Sequence, residues 1–519
     1  QIIMSSPLSQ SYRSTRSSSS ESRSFESAVI RGLAEDGGLF IPSQIPKVPA
    51  NFLEEWSKLS FQELAFKIMR LYVSDKEIDD KDLTELIKKS YSKFRSEKIT
   101  PLVRIDSKPN LYLLELFHGP TYAFKDVALQ FLGNLFEYFL QKKNKGLPSG
   151  SKRDHITVVG ATSGDTGGAA IYGLRNKKDV SVFILYPTGR VSPLQEQQMT
   201  TVRDANIHTL SVKGTFDDCQ ALVKSVFSDK AFNDKYHVGA VNSINWARIL
   251  AQITYYFHGY FQLYRSLSDA ERKNLKVKFV VPSGNFGDIL AGFYAKNMGL
   301  PIENLVVATN ENDILNRFLH TGTYDKAPVR ATYSPAMDIC VSSNFERFLW
   351  YMVRASSADK DDLKTGNKVK EFMDQLSKDG VFKVSPETLK LAQSFLSSGS
   401  VTDEETVKTI RSTYLETSNR YILDPHSAVG ITVAERTLAA DGEKSSPYKY
   451  VSLSTAHPAK FSDVVNKALG DIKGYSFEKD VLPEELHKLA SLPKKIKHID
   501  AVSLKVVESA IEEELSKEN

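Results

Sequence analysis

The sequence predicts an α/β protein with parallel sheets in two lobes, preceded by a small, mostly helical N-terminal domain. Two stretches, 156–185 and 276–308, each spell strand, glycine-rich loop, helix and strand in turn. A third apolar run, 111–117, leads through a turn into a long helical pattern. Strands that alternate with helices need crossover connections, and crossovers give parallel sheets covered on both faces. Before residue 101 the rhythm differs, with charged segments whose apolar residues recur at helical spacing.

In chain order, Asp36-Gly37-Gly38 is a turn signal and 39–42 a short extended piece. Residues 52–100 read as helices, with Leu59, Phe61, Leu64, Ala65 and Ile68 on one face. These segments define an N-terminal unit, 5–100. The catalytic core spans 101–475, with a small lobe at approximately 155–270 and the remainder forming the large lobe. Strand 111–117 precedes the turn His118-Gly119-Pro120 and a helix over 124–140. Residues 144–154 hold Gly, Pro, Ser and charges and read as a linker. Next come strand 156–159, loop 161–168, helix 169–174 and strand 180–185. Strand 276–281, loop 282–287, helix 288–298 and strand 305–308 repeat the unit. Strand 448–453 then runs through 454–458 into a helix. Residues 476–519 form a charged helical C-terminal segment, read as solvated. In parallel sheets ligands sit beyond the carboxyl ends of the strands, where all these loops lie.

Bulk properties remove several function classes. The chain has 519 residues, enough for two to four units at about 100–200 residues each. With 67 Lys+Arg against 63 Asp+Glu, the net charge of +4 is no footprint for nucleic acid. No uncharged apolar run reaches the length of about 18 residues that a membrane span needs. Cys219 and Cys340 form no disulfide framework, and the 10 histidines show no metal-binding spacing, so no metal is expected. Gln1, Ile2 and Ile3 precede Met4 and are set aside. Arg13, Arg16, Arg23 and the serines at 17–20 share the composition of a mitochondrial transit peptide. Glu21 and Glu26 interrupt it and no long amphipathic face accompanies it, so the expected location is cytoplasmic.

Several segments carry chemistry. On helix 124–140, Lys125 projects within about 40° of Leu129, Leu132 and Phe136, on the inner stripe. Burial and the positive helix end both lower the pKa of such a lysine, which suits Schiff-base formation. On position alone, a first-turn lysine that snorkels to water is the commoner case. Ser283-Gly284-Asn285-Phe286-Gly287-Asp288 joins a strand to a helix and suits an anion. It lacks the lysine of a nucleotide phosphate loop, and a plain βα turn is its ordinary alternative. Residues 160–168 are dense in hydroxyls and glycines and fit a second anion or merely a capped turn. Asn245 and Arg248 open a helix and suit a phosphate, although solvation is the usual fate of an arginine. Thr455, in Ser454-Thr455-Ala456-His457-Pro458, offers a hydroxyl or a helix cap.

Taken together, Glu115-Leu116-Phe117-His118-Gly119-Pro120-Thr121-Tyr122-Ala123-Phe124-Lys125-Asp126 resembles the cofactor-lysine motif of the threonine synthase family. Residues 161–168, 283–288 and 454–461 are similar to further blocks of that family in the same order. Tyr12-Arg13-Ser14-Thr15-Arg16 and Gly37-Gly38-Leu39-Phe40-Ile41-Pro42 are similar to its N-terminal domain. The resemblance covers nearly the whole chain, and the length is similar to that of fungal members.

The resemblance implies the tryptophan-synthase-β-like fold, fold type II of the pyridoxal-5′-phosphate enzymes. It implies that Lys125 holds pyridoxal 5′-phosphate through a Schiff base and then acts as the principal acid and base. Cofactor binding falls by the same implication to Gly284, Asn285, Phe286, Gly287 and Asp288, with 284–287 cradling the phosphate. Thr455 would face the pyridine nitrogen, a weaker support for positive charge there than an aspartate. The implied reaction converts O-phospho-L-homoserine and water into L-threonine and phosphate, the last step of threonine biosynthesis. For the substrate, chemistry suggests Ser163, Thr166, Asn242, Asn245 and Arg248, with Thr162, Gly164 and Asp165 in the loop that closes on the amino acid. A phospho-lyase or Ser/Thr dehydratase on the same scaffold would share Lys125 and Thr455 and differ in product. A non-catalytic protein of the same fold would lack a reducible cofactor–lysine bond. A nucleotide-binding enzyme would need the missing loop lysine.

Overall fold

A computed structural model describes residues 10–442 and 447–518, so residues 5–9 of the N-terminal unit and residue 519 lie outside the described residues. The larger sheet has six strands in the order Leu396–Ser400, Ile302–Thr309, Lys276–Pro282, Tyr448–Ser454, Leu111–Glu115 and Leu102–Arg104. Every neighbouring pair is parallel except the last, where Leu102–Arg104 returns antiparallel along the edge. The smaller sheet is parallel throughout and has five strands: Lys497–Ile499, Ile207–Val212, Val180–Pro187, Ile156–Ala161 and Val238–Gly239. Val180–Pro187 is buried along its whole length, as expected of a central strand with helices on both faces. In the larger sheet Ser454 lies beside Glu115 and Ser452 beside Val280. The loops that follow these three strands therefore open at one edge.

Two helices set the geometry of that edge. Lys125–Asn144, the lysine helix, follows strand Leu111–Glu115, and Asp165–Leu174 follows strand Ile156–Ala161. They cross where Gly133 meets Gly173. A Cβ on Gly133 would stand 1.9 Å from the Gly173 carbonyl oxygen, and one on Gly173 would stand 2.6 Å from the Leu129 carbonyl oxygen. Only bare backbone permits this approach. Each glycine lies just over two turns, about 12 Å, from the start of its helix. The crossing thus places Lys125, first in one helix, opposite Asp165, first in the other.

The N-terminal unit is helical as expected, with Phe25–Arg31, Phe52–Trp56, Phe61–Arg70 and Asp80–Tyr91. Ser60 and Glu63 form a reciprocal capping box at one start, and Asp79 caps another. Tyr12–Ser14 pairs antiparallel with Phe40–Pro42, the segment read as extended. This unit shares a core with the catalytic lobes: Phe25 lies 6.3 Å from Phe139, and Tyr12 lies 5.7 Å from Trp246, ring to ring. It braces the lysine helix from outside.

Three sequence expectations are revised. The linker 144–154 is closed at its base, because the Asn144 side chain bonds Asp154 O at 2.9 Å and Asp154 N at 2.7 Å. Helix Trp246–Ser266, assigned to the small lobe, packs against the lysine helix and Gly287–Met298 beside the larger sheet. Its central turns are buried all round, which a helix wedged between two others requires. The C-terminal segment is no solvated helix: Lys497–Ile499 extends the smaller sheet, and Val507, Ala510 and Ile511 are buried against it. No helix among the described residues is long and apolar enough to cross a membrane.

Gly133→Ala is expected to cost about 3 kcal/mol or more, because backbone rather than a flexible side chain blocks the added methyl. A lowered denaturation midpoint checks this; an unchanged midpoint would show that the helices part freely.

Candidate active site

The start of the lysine helix is stitched to the end of strand Tyr448–Ser454. Leu116 N donates to Ser454 O at 2.9 Å and Phe124 N to Thr455 O at 2.8 Å, while Ala123 and Ala456 form an antiparallel bridge. Tyr122 takes a left-handed conformation, φ 62°, to make the turn. Asp126 then accepts from Thr121 N at 2.8 Å and Thr121 Oγ1 at 2.7 Å, closing the loop. Glu485, from the C-terminal segment, pairs with Arg95 at 2.8 Å and accepts from the Tyr122 hydroxyl at 3.1 Å. The tail thereby supports the lysine loop.

Lys125 Nζ donates to Thr166 Oγ1 at 2.8 Å and lies 3.2 Å from Asp165 Oδ2. The other oxygen of Asp165 holds Lys460 Nζ at 2.6 Å, and the Lys460 side chain is 0% exposed. Burial lowers the Lys125 pKa; Asp165 opposes that, Arg248 and Lys460 add to it, and the net shift is downward. Burial alone would raise the Asp165 carboxyl, but Lys125 and Lys460 hold it well below the usual carboxylate range. Arg248 is also buried, and its Nη1 donates to Val241 O at 3.1 Å while Nε has no partner. Burial draws its pKa down to about 10. No carboxylate among the described residues pairs with it.

The loop between Lys276–Pro282 and Gly287–Met298 forms an open nest of donors. Among the described residues, the backbone N–H groups of Gly284, Asn285, Phe286 and Gly287 donate to no protein acceptor. Ser283 Oγ is buried and unpartnered. Phe286 adopts φ 66°, and its ring is locked against Phe345 and Phe348. The loop is backed by Ser342 Oγ on Gly284 O at 2.5 Å and Asn344 N on Asn285 O at 2.9 Å. A Cβ on Gly284 would meet Ala336 O at 2.9 Å, so glycine is required there. This donor set fits the phosphate of pyridoxal phosphate, and Lys125 fits its aldehyde. Thr455 is buried, and its backbone N–H donates to Ser427 Oγ at 3.3 Å.

Other expected residues divide. Thr166 and Asp165 touch Lys125 as described. Thr162 is a scaffold: its Oγ1 accepts from Gly164 N at 3.0 Å and Gly167 N at 2.9 Å. Gly164, φ 143°, leaves no room for a side chain against Gln195. Ser163 and Asn242 are exposed at the rim. Asn245 caps its helix through Ala247 N at 3.1 Å and bonds Val29 O at 2.9 Å, so its amide ties the N-terminal unit to the core. Asp288 turns away from the nest: its Oδ1 accepts from the Tyr255 hydroxyl and lies 3.0 Å from that of Tyr256. A carboxylate in the nest would repel a phosphate, and the tyrosines remove it. Lys460 and Ser283 were passed over in choosing site residues. Both lie inside motifs singled out in the sequence, but nothing local distinguishes a pocket lysine from a surface one. Among the described residues no cluster of His, Cys, Asp and Glu could hold a metal ion.

A largely buried lysine and an open nest of donors, both at the carboxyl edge of one parallel sheet, fit a pyridoxal-phosphate-dependent enzyme of fold type II, and a family profile described as pyridoxal-phosphate dependent enzyme matches residues 94–455. Profiles for the threonine synthase N terminus and the threonine synthase C-terminal region match residues 11–91 and 427–511. Threonine synthase of Saccharomyces cerevisiae is 62% identical over 515 residues, covering 98% of this chain and 99% of that protein. The crystal structure of threonine synthase from yeast superposes with a TM-score of 0.94 at 60% identity, covering 98% and 99% of the two chains. A pyridoxal-phosphate-bound threonine synthase from Brucella melitensis gives a TM-score of 0.84 at 40% identity over 98% and 99%. The chain belongs to the threonine synthase family.

Burial pushes the Asp288 carboxyl up to about 7 against the opposing tyrosine hydrogen bonds. Unfolded, it ionises near about 3.9. The folded chain therefore holds this proton more tightly, and stability falls as pH rises from about 4 through about 7. Asp288→Asn is expected to flatten that fall, measured by denaturant unfolding of both proteins across the window; equal slopes would contradict it.

Proposed function

We propose that this chain converts O-phospho-L-homoserine and water into L-threonine and phosphate. One observation carries the reading: Lys125 lies within electrostatic reach of Arg248, and a second set of anion donors follows a strand two places along the same sheet. The nest at 284–287, with Ser283, suits a phosphorylated cofactor. Arg248, without a carboxylate partner, suits a phosphorylated substrate, to which Ser163, Thr166 and Asn242 are also assigned. Thr455 is assigned to the ring nitrogen of the cofactor. We place the reaction in the cytoplasm, a reading supported by two free cysteines, Cys219 and Cys340.

Bound pyridoxal phosphate supplies an electron-withdrawing ring that stabilises negative charge developing on substrate carbons. The chain supplies proton transfer and orientation. Lys125, with its pKa lowered by burial, takes protons from Cα and Cβ and returns one to Cγ after the γ-phosphate leaves. Arg248 holds the phosphate as its bond to Cγ breaks. Thr166 and Asp165 orient the amine between these steps. Water gives its hydroxyl to Cβ and its remaining proton balances the released phosphate, Lys125 returns its second proton to Cα, and the amino acid is released as Lys125 regains its resting contacts.

Incubating purified protein, pyridoxal phosphate and O-phospho-L-homoserine should yield threonine and phosphate in equal amounts. Phosphate with 2-oxobutyrate and little threonine would assign a phospho-lyase instead. Lys125→Ala should abolish turnover, while Arg248→Ala should raise KM about 10- to 100-fold with cofactor still bound, as expected for losing a charged hydrogen bond. An unchanged KM would remove Arg248 from the phosphate site.

A further inference from the structure

Lys460 has no role in the chemistry above, yet its side chain is fully buried and its ammonium is spent on Asp165 alone among the described residues. A buried ammonium is costly unless paired, and the pair it makes is unusual because the carboxylate already has a cation. Asp165 Oδ2 lies 3.2 Å from Lys125 and Oδ1 lies 2.6 Å from Lys460. The cations come from different elements. Lys125 opens the lysine helix, and Lys460 sits in the turn Pro458–Phe461, just after Thr455. Asp165 reaches both from the helix that follows the smaller sheet.

This sharing answers a problem built into any buried Lys–Asp pair. The lysine reacts only after losing its proton. In an isolated buried pair that loss strands an unpaired carboxylate, so the pair locks the lysine in its unreactive form. We propose that Lys460 is a positioning residue for Lys125: it keeps Asp165 paired and in place while Lys125 sheds its proton. The inference rests on Lys125 being the cofactor lysine. Lys125 faces Asp165 and Thr166 from one side, Arg248 from helix Trp246–Ser266 and Lys460 from the turn. Asp126 is bound to Thr121 but within electrostatic reach of Lys460, and His426 is within reach of Asp165. Lys460 thus does two things: it repels a proton from Lys125 and divides the attraction of Asp165.

The test is graded acetylation of the full-length, cofactor-free chain with limiting acetic anhydride across pH, with Lys125 and Lys460 quantified by peptide mass spectrometry. In the wild type, Lys125 is expected to react with a midpoint below that of an ordinary lysine. Lys460→Met should raise the Lys125 midpoint by about one pH unit, and Lys460→Arg should restore it. An unchanged midpoint in a variant shown folded by its melting curve would overturn the proposal, and so would a raised midpoint that Lys460→Arg fails to restore, since that would reflect altered burial rather than the lost charge. Should Lys460→Met fail to fold, Lys460→Gln takes its place, and an unchanged Lys125 midpoint there overturns the proposal equally. No substrate or cofactor enters this experiment, so its outcome is separable from the product assay.

Discussion

Lys125 and Lys460 share one carboxylate, Asp165, and the buried Arg248 acts on Lys125 as a third cation with no carboxylate of its own. Charge of one sign is costly to bury, and it is tolerable here only because the fold holds each group rigidly and leaves room for anions. The parallel sheets bring their carboxyl ends to one edge, the Gly133–Gly173 crossing sets Lys125 against Asp165, and the Ala123–Ala456 bridge ties the lysine loop to the turn that carries Lys460. Even remote parts serve this edge. Asn245 anchors the helix of Arg248 to the N-terminal unit, and Glu485 steadies Tyr122 from the tail.

Under the proposed function the two donor sets differ in kind. At 284–287 the donors are backbone N–H groups with no formal charge, preorganised by Phe286 and the Ser342 and Asn344 contacts. Such a nest holds an anion in fixed geometry, as a resident cofactor requires. Arg248 offers a full charge on a side chain, suited to an anion that arrives, is cleaved and departs. Placing Asp288 on Tyr255 and Tyr256 keeps a competing carboxylate out of the first site.

Much of this was legible in the sequence because the signals were local. Alternating strands, glycine loops and helices define both lobes, and Lys125 could be placed on an inner helical stripe from its neighbours alone. Between residues 309 and 447 the sequence reading assigns no element, although helices Phe345–Ser356, Asp362–Asp379, Asp403–Glu416 and Pro425–Asp441 lie there; the last is buried on nearly every side of its first turns and so shows no apolar stripe. Strand Lys497–Ile499 is three residues long and exists only because Ile207–Val212 offers an edge. Asn245 and Asp288 have protein partners that the sequence does not show, because a polar residue at a helix start reads the same whether it meets a ligand, its own backbone or a neighbouring tyrosine. Lys460 lies 295 positions from its partner Asp165, so only the folded chain brings them together.

The clearest test of the charge-surplus view is the melting temperature of the cofactor-free chain in inorganic phosphate against chloride at matched ionic strength. A ligand that binds only the folded state raises stability in proportion to the logarithm of its saturation. Phosphate should raise the melting temperature progressively beyond any effect of chloride, as anions neutralise the buried cations. Identical melting curves in the two salts would mean that Lys125, Lys460 and Arg248 are already compensated within the protein, and that the cleft has no standing demand for an anion.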